Sequence, residues 1–132
     1  MADRSGSDFE IRDWLRAELM PHVMCPGCGH GFALRALLWA VHELGITKDR
    51  LTLISGIGCS GRIAAYVDAN TFHVTHGRPI TFATGLKLAR PDLDVIVVTG
   101  DGDCLAIGGN HLIHACRRNL DLTCLMLNNE VY

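Results

Sequence analysis

Apolar residues along this chain fall into two rhythms, one with helical spacing and one of short continuous runs. Ile11, Trp14, Leu15 and Leu19 recur at helical spacing, which predicts a short helix over 9–19, ended by Pro21. Leu34, Leu37, Leu38 and Val41 form an i, i+3, i+4, i+7 stripe, the buried side of a second helix that stops near Gly45. The rhythm then changes. Leu51 to Ile54, Asp94 to Thr99 and Leu122 to Leu127 are short apolar runs bounded by turn residues; each reads as a strand, and the first two as buried ones. A helix is expected from the His76-Gly77-Arg78 loop to about Ala89, where Pro91 closes it, and another from about Gly108 to Arg118. Residues 63–75 carry no clean period. Strands alternating with helices through short loops predict an α/β fold, a parallel sheet with helices on both faces. One domain over 9–132 is expected, with a disordered stretch at 1–8.

Composition narrows the class. With 132 residues, 48% hydrophobic and 20% charged, the chain is a globular domain able to bury a core. A formal charge of -2 and the lack of a basic stripe argue against nucleic acid. No stretch resembles a signal peptide or is long enough to span a membrane, so a cytosolic protein is expected. In that compartment six cysteines point to metal or redox chemistry rather than disulfides. The chain stops directly after a strand-like run. A sheet ending there leaves an edge unpaired and a face uncovered, so a piece of a longer protein is expected.

The candidate chemistry sits at Gly100-Asp101-Gly102-Asp103 and Asn128-Asn129. Each follows a predicted strand. If the two strands are parallel and joined by a helix, Asp101 and Asn129 meet at the carboxyl edge of the sheet, where open α/β sheets bind ligands. A carboxylate, a side-chain amide and carbonyls suit a hard cation such as Mg²⁺, which commonly takes substrate phosphates as further ligands. Glycines let backbone N–H groups approach a diphosphate. The plainer alternative, a turn with Asp capping the next helix, accounts for one motif but not for both together. Neither a Gly-x-Gly-x-x-Gly fingerprint nor a Walker loop is present at this position.

Cys25-Pro-Gly-Cys28 taken alone is a zinc half-site or a redox dithiol. Cys104, Cys116 and Cys124 fall in or beside regular elements and are expected to be small buried apolar residues. Arg62 directly follows the loop Ser55 to Gly61, and a guanidinium there suits a carboxylate. Arg78 is expected to pair within its own loop. His111 and His114 share a helix face, without a third ligand in sight.

Taken together these motifs carry a resemblance. Gly100-Asp101-Gly102 with Asn128-Asn129 resembles the cofactor motif of thiamine diphosphate-dependent enzymes. Cys25-Pro-Gly-Cys28-Gly, Ser55-Gly-Ile-Gly58-Cys59-Ser60, His76-Gly77-Arg78 and Gly108-Gly-Asn110-His111, in that order, resemble the β subunit of 2-oxoacid:ferredoxin oxidoreductases, especially the 2-oxoglutarate type. The likeness spans residue 13 onward. It implies a thiamine diphosphate-binding domain, incomplete at its carboxyl end. It implies Mg²⁺ held by Asp101, Asn129 and the carbonyl of Val131. Ile57, Gly58, Cys59, Ser60, His76, Gly77, Gly102 and Asp103 are implied to lie against the cofactor. Cys25, Cys28 and Cys59 are implied as ligands of a [4Fe–4S] cluster whose fourth ligand lies beyond residue 132. Arg62 is implied to bind the 2-oxo acid.

The same resemblance implies oxidative decarboxylation of a 2-oxo acid, of the 2-oxoglutarate or pyruvate class, to acyl-CoA and CO₂. CoA and ferredoxin would be co-reactants. The carboxylate that activates thiamine is implied to come from a partner α subunit, so no catalytic residue is assigned in this chain. Two rivals remain at this level. A non-oxidative thiamine enzyme shares the acidic motif but has no use for three cysteines, and a zinc-stabilised binding module leaves Asp101 and Asn129 without a role.

Overall fold

The computed structural model describes residues 9–132, so the disorder expected for 1–8 lies outside the described residues. Four strands, β1 (Leu51–Ser55), β2 (Asn70–His73), β3 (Asp94–Gly100) and β4 (Thr123–Leu127), form one sheet in the order β2-β1-β3-β4. Every pairing is parallel, with Ile54 opposite Val97 and Gly100 opposite Leu127. Four α-helices accompany them: α1 (Gly29–Glu43), α2 (Arg62–Tyr66), α3 (Pro79–Ala89) and α4 (Gly109–Arg118).

The two central strands explain why both faces are covered. All five residues of β1 are buried, as are Val95–Thr99 of β3, and period-two alternation sends neighbours to opposite faces. Leu51, Leu53, Ile96 and Val98 pack with Leu34, Leu38 and Val41 of α1 and with Ile63, Ala64 and Tyr66 of α2. Ile54, Val95 and Val97 pack on the other face with Ile80 and Ala83 of α3 and Ala115 of α4. The α1 stripe therefore lies where its spacing placed it. Each fully buried leucine, isoleucine or valine among them contributes about 1.5–3 kcal/mol.

Two expectations are corrected, and the segment without a clean period is resolved. Residues 9–19 form no α-helix but two 3₁₀ turns, Ile11–Trp14 and Ala17–Leu19, linked by extended backbone. Tertiary bonds decide this. Leu15 bridges Val67, the Arg16 N–H donates to the Tyr66 carbonyl at 2.9 Å, and the Arg16 guanidinium donates to the Ala65 and Ala69 carbonyls and to Thr71 Oγ1. Those bonds need an extended chain, while Ile11, Trp14 and Leu15 still reach the core. Residues 63–75 lie mostly in α2 and β2, which are too short for a period to show. Of the cysteines expected to be buried, only Cys104 is; Cys116 and Cys124 are exposed on α4 and β4. No helix among the described residues is long and apolar enough to cross a membrane.

The topology fixes where a ligand can sit. The chain leaves β1 toward β2 on one side and leaves β3 toward β4 on the other. The carboxyl ends of β1 and β3 therefore flank a switch point, the place where such sheets open a crevice.

Candidate functional site

Two clefts open at that edge. The first, about 410 Å³, is lined by Ile57, Gly58, Cys59 and Ser60 from the loop after β1 and by His76 from the loop after β2. Gly102 and Asp103 line it from beyond β3, and Asn129 and Val131 from beyond β4. All nine were singled out in the sequence. Gly100, from the same acidic motif, completes the wall with His30 and Tyr132, which carry no role assigned from the sequence. His30 had a signal, its place one residue after the Cys28-Gly29 turn, but that place also suits an ordinary helix-start residue.

Asp101 stands at the rim. The parallel pairing of β3 and β4 brings it to Asn129, whose backbone N–H donates to Asp101 Oδ1 at 3.3 Å. The Asn129 side-chain oxygen accepts from the Val131 N–H at 3.3 Å, and that of Asn128 from the Glu130 N–H at 3.2 Å. Such Asx turns fold the backbone after β4 back toward Asp101. An amide oxygen has a second lone pair, so this bond does not use up Asn129 as an acceptor. The donor set is all oxygen, as a hard divalent cation requires.

Asp103 is different. Its side chain is 1% exposed and turned into the protein. One oxygen accepts from His76 Nδ1 and the Gly77 N–H, each at 2.6 Å, and from the Ile57 N–H at 3.4 Å; the other accepts from Thr99 Oγ1 at 2.6 Å. Burial by itself would raise this carboxyl, but the donors outweigh it and hold it below the usual carboxylate range. Gly56 lies flush against the Asp103 carboxylate, with no space for a Cβ. Gly77, buried behind the cleft at φ +74, takes a conformation that L side chains rarely adopt.

The second cleft, about 850 Å³, adjoins the first and shares His30, Ile57, Gly58, Cys59 and Asn129 with it. Cys25, Cys28 and Cys59 all line it, as does the exposed Arg62 at the start of α2. Cys28 Sγ lies 3.2 Å from Nδ1 of the buried His30. Among the described residues no three metal-ligating side chains stand close enough to hold a metal ion. Arg78 bonds the Gly77 and Ile107 carbonyls, within and beside its own loop as expected. Asn110, His111 and His114 line neither cleft.

A parallel sheet with a glycine-loop cleft at its switch point has the architecture of a diphosphate-binding α/β domain. The chain belongs to the thiamine pyrophosphate enzyme family: the description "thiamine pyrophosphate enzyme, C-terminal TPP binding domain" matches residues 56–132. Among its relatives, the 2-oxoglutarate synthase subunit KorB of Methanothermobacter thermautotrophicus is 55% identical over 90% of this chain and 42% of its own length. The 2-oxoglutarate oxidoreductase subunit KorB of Mycobacterium tuberculosis is 54% identical over 98% of this chain and 33% of its own. The 2-oxoglutarate:ferredoxin oxidoreductase of Magnetococcus marinus, solved with 2-oxoglutarate, coenzyme A and succinyl-CoA bound, superposes with a TM-score of 0.89 at 40% identity. That match covers 98% of this chain and 44% of the other. The chain thus spans less than half the length of these relatives.

Proposed function

We propose that this chain is the cofactor-binding part of the β subunit of a 2-oxoacid:ferredoxin oxidoreductase, with 2-oxoglutarate or a related 2-oxo acid as substrate. The observation that carries this is the shared wall between the two clefts. The loop Ile57–Cys59 lines both, one walled also by Gly100, Gly102 and Val131 around Asp101 and the other bearing three thiols. A non-oxidative thiamine enzyme needs only the first.

In this reading Asp101, the Asn129 side chain and the Val131 carbonyl hold Mg²⁺. The loops at 57–60 and 76–77, with the backbone at 102–103, take the diphosphate. Thiamine diphosphate supplies a carbon nucleophile for the 2-oxo acid and an electron sink for the carbanion left by loss of CO₂. Arg62 holds the substrate carboxylate, its guanidinium exposed to the cleft and without an ion-pair partner among the described residues. Cys25, Cys28 and Cys59 supply three thiolates to a [4Fe–4S] cluster. Three thiols spread around one cleft, too far apart for a single ion, suit a polynuclear cluster. The fourth ligand and the carboxylate that activates thiamine come from outside these residues, the latter from an α subunit. Electrons pass singly to ferredoxin, and the acyl group passes to CoA.

The test is an anaerobic absorption spectrum of the intact complex, together with turnover of 2-oxoglutarate with and without added thiamine diphosphate. An iron–sulfur band and cofactor-dependent, CoA-dependent ferredoxin reduction are expected. Cofactor-dependent CO₂ release with no iron–sulfur band would establish the non-oxidative rival instead.

A further inference from the structure

We propose that the Asp103 carboxylate does not contact the cofactor but acts as a positioning group: it ties the loops after β1 and β2 to the end of β3 and sets which nitrogen of His76 faces the cleft, while the backbone of Asp103 stays in the cleft wall. This rests on the cleft being the thiamine diphosphate site. Four donors from three segments converge on one buried carboxylate: Ile57 N–H at 3.4 Å, and His76 Nδ1, Gly77 N–H and Thr99 Oγ1 at 2.6 Å each. An ionised carboxylate only accepts, so Nδ1 of His76 must carry the hydrogen. Nδ1 is thereby used up, and Nε2 is the polar atom that His76, which lines the cleft, has left for a ligand.

An acidic side chain aimed at a diphosphate would repel it. Turned inward, the same side chain is useful. The loop carrying Ile57 and the loop carrying His76 and Gly77 share no strand pairing, since β1 and β2 end before them. The carboxylate is the common acceptor that sets their register. Outer groups that orient a metal-ligating histidine in this way are worth about 10–100-fold in metal affinity, which sets the scale expected for a histidine oriented toward a diphosphate.

Asparagine has the size of aspartate but only one acceptor oxygen, and its amide would face donors. Asp103→Asn in the full-length subunit with its partner therefore tests the idea by two readouts. The first is a long-range proton–nitrogen spectrum of ¹⁵N-histidine-labelled protein, with the His76 signal identified by His76→Gln. The second is the Kd for thiamine diphosphate with Mg²⁺. The wild type should show Nδ1 protonated; Asp103→Asn should lose that tautomer and bind the cofactor about 10–100-fold more weakly. A wild-type Nδ1 without its hydrogen, or wild-type affinity in Asp103→Asn, would overturn the proposal. If Asp103→Asn does not fold, the wild-type tautomer still decides, together with Thr99→Val, whose affinity must also fall. If the wild type binds no thiamine diphosphate, the functional reading fails, and the tautomer judges Asp103 separately.

Discussion

The backbone N–H of Asn129 donates to Oδ1 of Asp101 at 3.3 Å, joining the residues that follow two adjacent parallel strands. No other hydrogen bond reaches the Asp101 carboxylate among the described residues, and the carboxylate stands at the rim of a cleft walled by glycine loops. If these two residues hold the cation that accompanies a diphosphate, Asp101→Ala removes the only charged side chain among its proposed protein ligands. Titration calorimetry on the intact complex should then show Mg²⁺-dependent thiamine diphosphate binding abolished. Binding at wild-type affinity would remove Asp101 from the metal site.

Gly56 makes a packing prediction. A methyl group at residue 56 would run into the Asp103 carboxylate, which is buried and held by its donors. Overpacking of this kind costs about 1–3 kcal/mol. Gly56→Ala should lower the urea midpoint accordingly, while Gly29→Ala, where a Cβ meets nothing within 4 Å at the exposed start of α1, should leave it nearly unchanged. Equal midpoints for the two variants would show that the loop can move away from Asp103.

The reach of the sequence follows from what each element depends on. β1 and β3 were legible because burial on both faces demands continuous apolar runs. Parallel pairing of β3 with β4 was enough to bring Asp101 to Asn129. The apolar spacing of 9–19 suits a helix, but the Arg16 and Leu15 bonds to residues 65–71 hold the chain extended between its two 3₁₀ turns. The motif puts Asp103 at the site but carries no information on the direction of its side chain. The inward direction of its side chain depends on Thr99, His76 and Gly77 arriving from separate segments, which no local pattern records.

The cysteines divide into two groups. Cys25, Cys28 and Cys59 surround one cleft beside the cofactor loops, whereas Cys116 and Cys124 border a separate one with Leu112 and Leu122. If only the first group holds a cluster, Cys59→Ser in the intact complex should lower iron content and weaken the iron–sulfur absorption. Cys116→Ser and Cys124→Ser should retain both. Loss of iron in either of the latter would move the cluster away from the loop at 57–60.

Arg62 carries the last prediction. It is exposed at the mouth of the thiol-lined cleft, on the first residue of α2, beyond the loop that separates the two clefts. Hydrogen bonds to a charged group contribute about 1.5–3 kcal/mol, equivalent to roughly 10–150-fold in kcat/KM. Arg62→Gln keeps much of the side chain's length but loses the charge and the paired donors. It should therefore raise KM for the 2-oxo acid by about that factor. Because Arg62 follows rather than forms the diphosphate loop, affinity for thiamine diphosphate should change little. Steady-state kinetics and cofactor titration on the same preparation separate these effects. A KM at the wild-type value would take Arg62 out of the substrate site, and an equal loss of cofactor affinity would make it part of the cofactor loop instead.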